Sequence, residues 1–137
     1  MIRKRYFTVS LIFFVFLFTT SYLSMRSFSD DVSSSCMDCS YWSEVLFYSV
    51  ICTILIAVIL FAADKLNFKK FINPIIIILF LVLTFFGNMS IFSDRVSAWS
   101  SYSTQDEIIA VLSTSGLQIV IGAVLLFFVI RSFKSVK

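Results

Sequence analysis

Twenty consecutive residues without a charge, Tyr6 to Met25, constrain this chain more than any other feature. The stretch holds Phe7, Val9, Leu11, Ile12, Phe13, Phe14, Val15, Phe16, Leu17, Phe18 and Leu23. At about 1.5 Å per helical residue it reaches about 30 Å, one hydrocarbon thickness. Its Leu, Ile, Phe and Val residues favour insertion by roughly 0.3 to 0.6 kcal/mol each, which outweighs the milder cost of Thr19, Thr20 and Ser21. The same reading predicts further spans at about 45–63, 71–92 and 108–130.

Composition agrees: 59% of the 137 residues are hydrophobic and 14% charged, a balance that no water-exposed surface of a single domain accommodates. In lipid every backbone polar group must be satisfied within its segment, and continuous apolar runs favour helices over the alternating strands of a barrel. The expected fold is an all-α membrane protein over 1–137, with four transmembrane helices in an antiparallel bundle.

Orientation follows from the basic residues. Arg3, Lys4, Arg5, Lys65, Lys69, Lys70, Arg131, Lys134 and Lys137 fall on one side of the four spans, and only Arg26 and Arg95 on the other. The positive-inside rule then places both termini and the 64–70 connection in the cytoplasm, as in a multi-pass protein of a bacterial inner membrane. Among the acids, Asp64 shares that side, while Asp30, Asp31, Asp38, Glu44, Asp94, Asp106 and Glu107 face out. Trp42, Trp99, Tyr22, Tyr41 and Tyr102 fall near the outer interface, a depth that suits amphipathic rings. Arg3, Lys4 and Arg5 before an apolar core also describe a secretory signal peptide, but the core is long for one and no Ala-x-Ala site follows.

The last span carries Ala110, Thr114, Gln118 and Gly122 at four-residue intervals. This stripe lets another helix approach closely and predicts a hydrogen-bond partner for Gln118. A ligand path or oligomer contact would use such a stripe, and ordinary packing within the bundle explains it as well. Thr84, Gly87 and Asn88 near the outer end of span three, and Asn73-Pro74 at its start, read as packing and capping. Asn88-Met89-Ser90 has the form of a glycosylation sequon but lies too close to the membrane to act as one.

No Asp, Glu, Lys, Arg or His lies inside a predicted span, and the chain has no His. Proton relays, coupled transport and voltage sensing normally need an intramembrane ionisable group. Histidine-based hydrolysis, metal hydrolysis and haem ligation lack their usual residue, and no Gly-rich phosphate loop is present. No cofactor, metal or nucleic acid is expected. The implied partners are the lipid bilayer and a membrane protein or second copy.

One constellation carries chemistry: Cys36-Met37-Asp38-Cys39, ahead of Tyr41 and Trp42. Such a pair can close a small disulfide or present a reactive thiol on an oxidising outer face. Zinc would need two further Cys or His ligands that the outer loops lack. Cys52, well inside span two, reads as a packed apolar side chain. Four helices with both ends inside and a CxxC in the first outer loop resemble the disulfide-generating membrane proteins of the DsbB type, which implies a redox role for Cys36 and Cys39. That family also has a cysteine pair in its second outer loop and an Arg four residues after the CxxC that helps bind quinone. Here 93–107 contains no Cys and Ser43 stands at the second position, so those steps of the electron path have no counterpart.

The leading expectation is therefore a non-catalytic accessory or interaction protein of the cytoplasmic membrane. A thiol-disulfide oxidoreductase using Cys36 and Cys39 is the alternative. A bacteriocin immunity or exclusion protein is a third, by likeness of type alone.

Overall fold

The computed structural model describes residues 2–65 and 72–135. Lys69, Lys70, Phe71 and Lys137, and with them most of the expected cytoplasmic turn, lie outside the described residues. Four long helices account for nearly all of the rest: α1 (Ile2–Ser24), α2 (Tyr41–Lys65), α3 (Ile72–Arg95) and α4 (Thr104–Ser135), with short 3-10 turns at Arg26–Phe28 and Ser97–Trp99. Among the described residues there is no strand.

Each helix is long and apolar enough to cross a membrane. Between 28% and 39% of each apolar window is buried against the rest of the protein, so most of the apolar surface needs a cover other than the chain itself. Phe7, Phe47, Leu117 and Phe128 point outward among many similar side chains, as hydrocarbon solvation requires. The helices begin or end a few residues beyond the apolar runs at Tyr41, Arg95 and Thr104. Apolar length reports the hydrocarbon, whereas a helix stops where a cap stops it.

Serines supply the caps at the beginnings of α2 and α4. Ser40 Oγ accepts from the Ser43 amide at 3.3 Å ahead of α2, with Glu44 in the favourable first turn. Ahead of α4, Ser103 Oγ accepts from the Asp106 amide while Asp106 Oδ2 accepts from the Ser103 amide, both at 3.3 Å, a reciprocal capping box.

α1 packs most extensively against α2 and α4, and α3 against α4; α2 and α3 touch less. Two apolar clusters fill the interior. The larger joins Val9, Phe13 and Leu17 of α1 to Cys52, Ile56 and Leu60 of α2, Ile76 and Phe80 of α3, and Ala123, Leu126 and Ile130 of α4. The second, at the end bearing the 25–40 and 96–103 loops, joins Met25, Tyr41, Val45, Ile91, Phe92 and Val111. The larger cluster draws on all four helices.

Close approach depends on two glycines. A Cβ at Gly122 would stand 2.6 Å from Thr20 Oγ1 and 3.2 Å from Phe80 Cζ. A Cβ at Gly87 would fall 2.8 Å from Tyr48 Cζ and closer still to Cε1. Gly116 has open space instead.

Candidate functional site: a cap built on Asp94 and Arg95

The two loop segments at one end of the helices are fastened together by the last residues of α3. Arg95 is 3% exposed although its charge would ordinarily seek water. Its Nε donates to Glu44 Oε2 and its Nη2 to Glu44 Oε1, each at 3.0 Å. Nη1 donates to the carbonyls of Ser29, at 3.2 Å, and Asp31. Nη2 also reaches the Cys39 carbonyl at 3.4 Å. All five guanidinium hydrogens therefore have acceptors, four protein groups being gathered by one planar fork. The guanidinium carbon also lies 5.4 Å from the Tyr41 ring centroid, a cation–π distance.

The preceding residue holds the same loop by its carboxylate. Asp94 accepts from Ser33 Oγ, from Ser34 Oγ at 2.7 Å and from the Ser35 amide at 2.9 Å, and its own carbonyl accepts from the Ser34 amide at 3.1 Å. Ser33 is almost fully buried by this arrangement. Trp99 Nε1 donates to the Val32 carbonyl at 2.8 Å, and Ser97 Oγ donates to Glu107, tying the second segment to α4.

Cys36 and Cys39 form a disulfide within the cap. The Cys36 amide donates to Ser33 Oγ and the Cys39 amide to the Cys36 carbonyl, each at 3.1 Å. Cys36 is half-buried, and Met37, Asp38 and Cys39 are exposed. Cys52 is a buried free thiol. Among the described residues no cluster of His, Cys, Asp or Glu has the form of a metal site.

Other sequence candidates fall elsewhere. The buried face of α4 runs through Val111, Ser115, Ile119, Ala123, Leu126 and Ile130. Ala110, Thr114 and Gln118 are half-buried along its margin, and Gly122 alone of the stripe is buried. The hydrogen-bond partner expected for Gln118 is not found: its Oε1 is buried with none among the described residues. It lines a groove of about 210 Å³ between α1 and α4, where Thr19 Oγ1 is turned back onto the carbonyls of Val15 and Phe16. Thr84 likewise bonds back, to the Phe80 carbonyl.

Tyr41, read from the sequence as a ring at interfacial depth, is buried against the rest of the protein. Its hydroxyl donates, shared, to the carbonyls of Ser21 at 3.0 Å and Tyr22 at 2.9 Å, across the α1–α2 contact. Asn88 is fully buried and its Nδ2 donates to Ser24 Oγ at 2.9 Å, so burial removes the sequon asparagine from any surface.

Sequence reasoning missed Arg95 and Asp94 as organisers. Their signal was available only as contrast: a basic residue ending an apolar span on the side where basic residues are scarce. No family model, curated protein or solved structure matches the chain, so its geometry carries the functional argument.

Proposed function

We propose that the chain is an accessory protein of the bacterial cytoplasmic membrane, an antiparallel four-helix bundle with both termini in the cytoplasm and no catalytic site. Its outer cap is the surface it offers to another membrane component. The observation that carries this reading is the complete internal use of the Arg95 guanidinium. A charge with every donor engaged fixes the shape of a surface and holds no donor in reserve for a substrate. Orientation rests on the basic residues, nine of which fall in the sequence before the first apolar span, between the second and third, or after the fourth.

Two measurements test the reading. Tags at the two termini should both be accessible only from the cytoplasm, and tags on opposite faces would overturn the orientation. Chemical crosslinking in membranes, followed by detergent purification, should recover a membrane protein attached through residues of 29–40 or 96–103. Recovery of the chain alone and monodisperse would overturn the accessory role.

A second reading, a thiol-disulfide oxidoreductase acting through Cys36 and Cys39, is favoured by the surface position of that disulfide. Alkylation mass shifts before and after reductant test it. Thiols that remain free in cells, or an intact phenotype in the Cys36→Ser, Cys39→Ser double variant, would end it.

A further inference from the structure

We propose that the Cys36–Cys39 disulfide is a redox-cleavable closure of the outer cap: a dithiol reductant opens it, and the turn 36–39 then detaches from Arg95 at the end of α3. The inference concerns the cap itself and stands apart from both readings above, since a disulfide can be exchanged without any change in the loop that carries it.

From Ser29 to Ser40 the chain has no helix or strand to hold it. Its position comes from Asp94, Arg95 and Trp99, and the anchors fall on both sides of the disulfide. On one side the Cys36 amide bonds Ser33 Oγ, which bonds Asp94; on the other the Cys39 carbonyl accepts from Arg95. The covalent turn therefore sets the spacing between attachments to two consecutive residues of α3. Without it, one amide-to-carbonyl hydrogen bond spans the turn. The contacts among the helices lie outside this circuit: Arg95 keeps Glu44, Tyr41 keeps the α1 carbonyls, and Asn88 keeps Ser24. Opening is thus local.

Access is provided for the chemistry. Met37 is 74% exposed and Cys39 is exposed beside it, while Cys36 is half-buried. A thiolate of the dithiol attacks Cys39 Sγ, the S–S bond breaks, and Cys36 departs as thiolate and takes a proton. The second thiol of the reductant then attacks the mixed disulfide and releases Cys39. Two electrons pass: the dithiol becomes a disulfide and the chain gains two thiols.

The test uses the full chain in detergent micelles, with dithiothreitol as the dithiol and iodoacetamide to cap the released thiols. Intact mass reports cleavage, and hydrogen exchange read by mass spectrometry reports the loop. Cleavage should raise exchange in 36–40 by roughly tenfold or more, the scale expected for loss of a short covalent loop, while 29–35 and the interiors of the four helices stay unchanged. The Cys36→Ser, Cys39→Ser double variant should match the reduced protein without reductant. Capped thiols with no change in the loop would overturn the proposal. So would a disulfide that resists dithiothreitol in the folded protein, or an equal rise throughout the helices, which would make the bond a general brace.

Discussion

Arg95 and Glu44 meet through two parallel hydrogen bonds, both 3.0 Å long, with the arginine side chain 2% exposed and the glutamate 23%. The pair joins the last turn of α3 to the first turn of α2. It is asymmetric: Glu44 retains some contact with water, whereas Arg95 depends on its partners.

Glu44→Gln should destabilise the protein by about 2–3 kcal/mol, because it leaves a buried cation with carbonyls alone. Arg95→Lys should cost about 1–3 kcal/mol, since an ammonium cannot serve acceptors spread across a planar fork. The Arg95→Met, Glu44→Leu double variant should lose less than the Arg95→Met and Glu44→Leu single variants combined. Thermal unfolding in one detergent checks these losses, and additive losses in that cycle would show that the pair is not coupled.

Gly87 and Tyr48 form a second coupled pair. The ring lies where a Cβ on residue 87 would be, and the hydroxyl donates to the Leu83 carbonyl at 2.6 Å, so the ring cannot swing away and keep its bond. Gly87→Ala should therefore cost about 1–3 kcal/mol, and Tyr48→Phe about 0.5–1.5 kcal/mol. In the Tyr48→Ala background, where the ring is gone, Gly87→Ala should be almost neutral. A full penalty in that background would place the steric cost elsewhere.

The two glycines of α4 should respond in opposite directions. Gly122→Ala meets Thr20 and Phe80, and should cost about 1–3 kcal/mol by forcing α4 away from its neighbours. Gly116→Ala meets nothing within 4 Å and should be neutral or stabilising by up to about 1 kcal/mol through helix propensity. Melting temperatures of the two variants, measured side by side, decide the matter.

Asn88 combines a satisfied amide nitrogen with an Oδ1 that has no partner among the described residues. Asn88→Leu removes that buried acceptor at similar volume and should change stability by less than about 1 kcal/mol. Asn88→Asp places a carboxylate there and should cost several kcal/mol at neutral pH. Its loss is expected to shrink as the pH falls and the carboxyl is protonated. An equal penalty for both variants would show that Asn88 serves as more than a tolerated polar residue.

Helices and loops differed in how readable they were. The uncharged stretches from Tyr6 and from Val45 marked their helices because insertion sums small contributions from many residues, and no single neighbour decides it. The stripe of α4 was legible only as a direction. Ala110, Thr114 and Gln118 mark the edge of the packed face, while Val111, Ser115 and Ile119 occupy it. In a helix that is apolar nearly all round, periodicity does not separate the side facing protein from the side facing lipid.

By itself, then, the order of residues determined that this chain makes four helices suited to hydrocarbon, because solvent preference is a property of each segment alone. Tertiary structure decided the rest: that Tyr41 turns inward, that Gly87 is a seat for Tyr48, and that Asp94 and Arg95 hold a serine-rich loop containing a disulfide. Those relations join residues 19 to 66 positions apart. They arise when helices pack and bring the ends of α1, α2 and α3 together, and no local pattern of charge or polarity encodes that meeting.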